Sequence, residues 1–202
     1  MDFNEIKLYL PKYLSAETQK ELFENLNGFP DTIDERLYTS KFIDEEIVYQ
    51  GDGLQDMLII NLPSPHIKLK PGLVLSNSCD INPENERFFD SRVMYAPIFN
   101  LRKYEETLRG KGIKSKQAID NHLKDIRNQL ATQIFYLPKK GTILEESIVF
   151  LDRVLNMPID SIDKQNLKTI RLFSLSQYGH YLFVFKLSLH LSRIREGIDR
   201  DN

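Results

Sequence analysis

Between Phe42 and Phe99 the chain alternates between short apolar runs and strong breakers, and this pattern narrows the fold more than any other feature. The runs are Phe42-Ile43 with Ile47-Val48-Tyr49, then Met57-Leu58-Ile59-Ile60, Gly72-Leu73-Val74-Leu75, and Val93 through Phe99. Between them stand Gln50-Gly51-Asp52-Gly53, Pro63 to His66, and Asn82-Pro83-Glu84-Asn85-Glu86. Each run suits a strand and is too short for a helix, and nothing between the runs has helical periodicity. Strands at this spacing without crossover helices predict a small antiparallel barrel rather than a parallel sheet. The pattern resumes at Gln133–Pro138, turns at Lys139-Lys140-Gly141, and continues as a strand through Ser147–Met157.

Residues 102–132 interrupt it. Ser115 is placed to cap a helix in which Ile119, Leu123, Ile126 and Leu130 recur at three- and four-residue spacing. The expected fold class is therefore α+β: a small antiparallel β-barrel over residues 41–160, with a helical insertion at 102–132 and helices at both ends. Residues 1–40 read as a helical arm and linker. Ser15 is its candidate N-cap, Leu14, Leu22, Phe23 and Leu26 form its apolar side, and Gly28 and Pro30 stop it. Within residues 161–202 a final helix is expected from about Ser174 to Ile198, capped by Ser174 or Ser176. Tyr178, Leu182, Phe183, Phe185, Leu187 and Leu189 make it apolar over much of its circumference, and Arg193 and Arg195 sit near its negative end. Such a helix needs packing on two sides, from the N-terminal helices, a protein partner or a second copy of the chain.

A chain of 202 residues with 41% hydrophobic and 28% charged content is sized for one globular domain. No apolar run approaches the roughly 20 residues that span a bilayer, and the acidic start Met1-Asp2-Phe3-Asn4-Glu5 has no signal-peptide pattern. These features point to a cytoplasmic protein without a membrane partner. Net charge is −2, unevenly spread. Residues 1–60 carry thirteen acids and five bases, a local −8, which leaves +6 for the remainder. Arg109, Lys111, Lys114, Lys116, Lys124 and Arg127 concentrate positive charge in the insertion, a candidate face for RNA or DNA.

Chemistry centres on Lys70-Pro71-Gly72-Leu73-Val74-Leu75-Ser76-Asn77-Ser78-Cys79-Asp80, a strand that ends in small polar residues. Cys79 is the one cysteine, so it has no internal disulfide partner. A lone strand-end thiol reads as buried and unreactive. It is a nucleophile only if a base such as His66, His122, His180 or His190 reaches it. Ser76, Asn77 and Ser78 have hydrogen-bonding groups for a phosphate, or for closing the strand end locally. Asp80 is a candidate acid or base, and Arg87 either clamps an anion over this loop or pairs with Asp80 or Glu84. The histidines lack metal-binding spacing, and no nucleotide-cofactor fingerprint is present, so neither a metal nor a cofactor is expected.

Glu46–Asp52, Leu58–Pro63, Lys70–Ser76 and Val93–Ile98 together resemble the PemK/MazF-like toxins over about residues 42–100. The resemblance implies an SH3-like barrel related to that of CcdB and a metal-independent RNA phosphodiesterase in a toxin–antitoxin or phage-defence setting. In those toxins an Arg-Pro arginine and a strand-end Ser or Thr act on the scissile phosphate. Ser76 matches the second position, but Lys70 occupies the first and lacks the planar fork of arginine. On this reading Lys70 and Arg87 stabilise the phosphorane, Ser76 and Asn77 position it, and Asp80 or His66 moves the proton. The whole chain also resembles a bacterial group marked by Ser-Asn/Gln-Ser/Thr-Cys-Asp and Phe-Tyr-Leu-Pro, here Ser76–Asp80 and Phe135–Pro138. The alternative is a non-catalytic module that binds nucleic acid or protein on the same barrel.

Overall fold

The computed structural model describes residues 36–63 and 65–192. The expected helices of residues 1–29 lie outside them, as do Arg193 and Arg195. The described chain is mixed α+β, built on an eight-stranded antiparallel sheet. Its strands are β1 (Tyr38–Thr39), β2 (Gly53–Asn61), β3 (His66–Val74), β4 (Arg92–Asn100), β5 (Ile134–Leu137), β6 (Ser147–Phe150), β7 (Leu155–Pro158) and β8 (Arg171–Leu175). The spatial order is β1-β8-β2-β3-β4-β6-β5, with β7 also paired to β4. Long β4 serves both: Arg92 to Tyr95 pair with β7, and Ile98 to Asn100 with β6.

No ladder joins the two ends of this path among the described residues. Side chains bring them together instead. The Tyr38 hydroxyl donates to the Pro138 carbonyl at 2.7 Å, just past β5, and Lys140 Nζ reaches the Leu172 carbonyl of β8 at 3.3 Å. The free edge of β5 is covered by Gln129, whose side-chain amide donates to the Tyr136 carbonyl at 2.7 Å and accepts from its N–H at 3.0 Å. That amide stands in for a neighbouring strand and satisfies groups that would otherwise be open to another chain.

Among the described residues five α-helical segments accompany the sheet: α1 (Ser78–Ile81), α2 (Leu101–Gly110), α3 (Lys116–Arg127), α4 (Leu167–Ile170) and α5 (Gln177–Ser192). The largest core places Leu73, Ala96, Phe135, Val149 and Phe173 of the sheet against Tyr178, Leu182 and Phe183 of α5. A second packs Leu54, Met57, Val74 and Val93 under Ile159, Ile162 and Leu167. A third seats α2 and α3 on β5 and β6.

Several expectations change. Phe42-Ile43 and Ile47-Val48-Tyr49 form loop rather than strand, because the carbonyls of Phe42, Glu45 and Ile47 all accept from the Arg171 guanidinium. Those carbonyls are consumed by a side chain rather than by a strand neighbour. Ser147–Met157 is two strands, divided by a turn after Phe150. The insertion has two helices, since α2 precedes the expected one, and Leu130 falls beyond α3 and is exposed. Residues 171–175 are strand, so the sheet runs past residue 160, and the final helix begins at Gln177. Its cap is Ser176, whose Oγ accepts from the Gly179 amide at 3.0 Å. The expected linker contributes Leu37 to the core and Tyr38–Thr39 to the sheet.

Candidate functional site

The rim of β3 is shaped by short-range capping. Asn77 caps α1, its side chain accepting from the Cys79 amide at 2.9 Å. Ser78 Oγ accepts from the Gln50 amide at 2.9 Å. Ser76 is buried, and its Oγ accepts from the Met94 amide at 2.7 Å. Arg87 folds back over this turn, donating to the Cys79 carbonyl at 2.9 Å and to Asp80 Oδ1 at 3.2 Å. Asn85 donates to the same Cys79 carbonyl at 2.7 Å. Of the two roles expected for Arg87, pairing with Asp80 is the one formed.

The structure therefore joins Asp80 to Arg87, keeps Asn77 in the same turn, where its carbonyl accepts from the Asp80 amide at 3.0 Å, and leaves Lys70 and His66 away from them. Lys70 stands on the exposed part of β3, opposite Met57, four residues before Val74. That is roughly 13 Å of extended chain from the strand end. His66 opens β3 at the tip of the β2–β3 hairpin, opposite Asn61. Cys79 is exposed, contrary to the expected buried thiol, because the α1 turn directs Ile81 rather than Cys79 into the core.

A polar link missed in the sequence ties this rim to α5. The Gln50 side chain donates to the Leu75 carbonyl at 2.7 Å, which turns its Oε1 toward His180 Nε2, 3.1 Å away. Burial lowers the His180 pKa, so the ring is neutral near pH 7 and its Nε2 carries the proton that Gln50 accepts.

Beneath Gly51 lies a fully buried ion pair. Gly51 adopts φ +87°, a conformation open to glycine, and so turns Asp52 inward. Arg171 Nε donates to Asp52 Oδ2 at 3.1 Å, Ser174 Oγ donates to Oδ1 at 2.6 Å, and the Tyr49 amide donates to Oδ2 at 3.0 Å. Burial pushes the Asp52 carboxyl upward, while Arg171, Ser174 and the Tyr49 amide pull it toward the ionised form. All polar atoms of this cluster are engaged with protein, which makes it a brace for the 42–52 loop. Gln50-Gly51-Asp52-Gly53 reads as a plain turn in sequence; the matching Arg171 lies 119 residues away.

A second buried basic side chain, Lys186 of α5, is 4% exposed and donates to Gln129 Oε1 at 2.8 Å, with no carboxylate paired to it among the described residues. Burial brings its pKa down to about 7.

The insertion divides its cations into two sets. Arg109 is held by Glu105 at 2.7 Å and Asp120 at 2.5 Å. Arg127 grips both oxygens of Glu146 at 2.8 and 3.1 Å, and Tyr136 donates to the same carboxylate at 2.6 Å. Lys111, Lys114, Lys116 and Lys124 are exposed. Three of them surround the N-terminal end of α3, whose first turn has no acid and whose cap is Ser115, accepting from Ala118 at 3.2 Å. A polar cleft of about 440 Å³ opens at the other end of α3, between Arg102, Lys103, Arg127, Glu105, Glu145 and Glu146. Its mixed charge suits neither sign of ligand.

Among the described residues no group of three His, Cys, Asp or Glu side chains is placed to hold a metal ion, and no helix is long and apolar enough to cross a membrane. No family model and no curated protein matches the chain.

Proposed function

We propose that this protein is a non-catalytic nucleic-acid-binding module whose contact surface is the α2–α3 insertion. The observation that carries this reading is the division of cations. Arg109 and Arg127 are tied to carboxylates, whereas Lys111, Lys114, Lys116 and Lys124 face solvent without an ion-pair partner among the described residues. Flexible ammonium groups around an acid-free helix start attract a polyanion and release its counterions on contact. The helices are fixed by Leu101, Ile119, Leu123 and Ile126 packing onto β5 and β6, so the surface is presented on a rigid base.

The test is titration of the full chain with labelled nucleic acid at several salt concentrations. Four phosphate contacts predict a log–log slope of about −2.8 for a single strand and about −3.6 for a duplex. Joint replacement K111E/K114E/K116E should weaken binding more than tenfold with an unchanged thermal midpoint. Binding that ignores salt, or survives the triple reversal, would overturn the reading.

The ribonuclease reading draws on the rim. Arg87 and the exposed Asp80 meet beside the Ser76–Cys79 turn, within the segment that resembles PemK/MazF-like toxins and their SH3-like barrel. The consecutive antiparallel pairing of β2, β3 and β4 is what supports that barrel. A mixed RNA pool, incubated without metal, separates the two readings. Cleavage that disappears in R87A would establish a toxin-like nuclease, and an intact pool would discard it.

A further inference from the structure

Resting on the nucleic-acid reading, we infer that α3 is a groove-reading helix whose ligand is double-stranded DNA. Its inner side, Ile119, Leu123 and Ile126, is buried on Ile134, Tyr136 and Ile148. The opposite side repeats at i, i+4, i+7 and i+11 as Gln117, Asn121, Lys124 and Asn128, a stripe with no apolar residue. Gln117, Asn121 and Lys124 are exposed, and Asn128 is half-buried. A solvent face needs only charge; three amides and one lysine in register offer paired donors and acceptors as well.

Gln117 Nε2 donates to Asn121 Oδ1 at 3.0 Å. That bond leaves Gln117 Oε1 as an acceptor and Asn121 Nδ2 as a donor, the two functions an adenine edge takes in the major groove. Lys124 adds a cation to the stripe that, with Lys111, Lys114 and Lys116 at the helix start, meets phosphates. Two acids border the stripe. Asp120 is turned to Arg109 at 2.5 Å, while Asp125 is exposed at its edge and restricts which bases can sit beside it.

The form of nucleic acid follows from size and stacking. A helix with its side chains is about 10–12 Å across and fits the roughly 12 Å major groove of B-form DNA. The A-form major groove of duplex RNA is too deep and narrow to admit it. Single strands are gripped mainly by aromatic stacking, and this stripe has no aromatic side chain.

The experiment compares the full chain on a mixed-sequence DNA duplex, an RNA duplex of the same sequences and the separate strands, together with selection from a randomised DNA pool. The DNA duplex is expected to bind at least about tenfold tighter than the others, with a salt slope near −3.6. Q117A/N121A should flatten the selected sequence preference and keep that slope, whereas K124A should reduce the slope by about 0.9. Equal binding of RNA and DNA duplexes, preference for single strands, or an unchanged preference in Q117A/N121A overturns this inference and leaves the module reading standing. Absence of binding to every nucleic acid overturns both.

Discussion

Asp52–Arg171 and Asp80–Arg87 are the same chemical pair at nearly the same separation, 3.1 and 3.2 Å, in opposite surroundings. The Asp52 and Arg171 side chains are 0% and 1% exposed; those of Asp80 and Arg87 are 69% and 26% exposed. Distance therefore says little about what each pair does. The buried pair survives desolvation because its remaining hydrogen-bonding groups are taken up by Ser174, the Tyr49 amide and three loop carbonyls. The rim pair is screened by water and serves chiefly to hold a loop. Lys186 is a third case, a buried cation with one amide oxygen and no counter-charge among the described residues, and its proton is correspondingly easy to lose.

Four substitutions set these environments against one another. R171A has the largest expected effect. It strands a buried carboxylate and three carbonyls, and chemical denaturation should show a loss of about 3–5 kcal/mol. A loss below about 1 kcal/mol would mean that the 42–52 loop refolds around water.

K186M tests the unpaired cation through pH. The folded pKa, about 7, lies below the ordinary lysine value of 10.5. Between these values the unfolded chain holds the proton and the folded chain does not, so stability rises with pH across that window, by about 1.4 kcal/mol per unit. Below pH 7 the cost of the buried charge is fully present. K186M should remove this slope and leave Gln129 bonded to Tyr136; parallel stability curves for the two proteins would contradict it.

S174A sharpens the account of the brace. Deleting the 2.6 Å donor to Asp52 should cost about 1.5–3 kcal/mol, the range for hydrogen bonds to charged groups. R87A breaks the exposed pair and should cost at most about 1 kcal/mol, shrinking further in high salt. If R87A proves as costly as R171A, the rim is far more tightly coupled to the fold than its exposure implies.

Local signals in the sequence carried well where they were strong. Ser115 caps α3 and its Ile119, Leu123 and Ile126 face the sheet as their spacing predicts. Met57–Ile60, Gly72–Val74 and Val93–Phe99 lie in strands, although β2 and β3 reach back past their apolar runs to include Gly53 and His66, which read as parts of breakers in sequence. Ile47-Val48-Tyr49 failed because apolar character and β-propensity cannot report that a distant arginine will take the backbone carbonyls. The Cys79 expectation failed because residue type predicts average burial, whereas the α1 turn sets the direction of each side chain.

Apolar period, breakers and capping residues act over a few positions, so the sequence alone determined an α+β chain with antiparallel strands, a capped helix in the insertion and an uneven charge. Tertiary structure alone decided which charges meet. Asp52 and Arg171 are 119 residues apart, and Lys186 and Gln129 are 57 apart. Their partnership depends on sheet order and on where α5 crosses the core. Folding likewise tied Arg127 to Glu146 and added Asp120 to the local i,i+4 pair of Arg109 with Glu105, and it left Lys111, Lys114, Lys116 and Lys124 facing water. Ion pairing depends on position and desolvation rather than on composition, and a run of lysines and arginines becomes a binding surface only after folding has removed the members that already have partners.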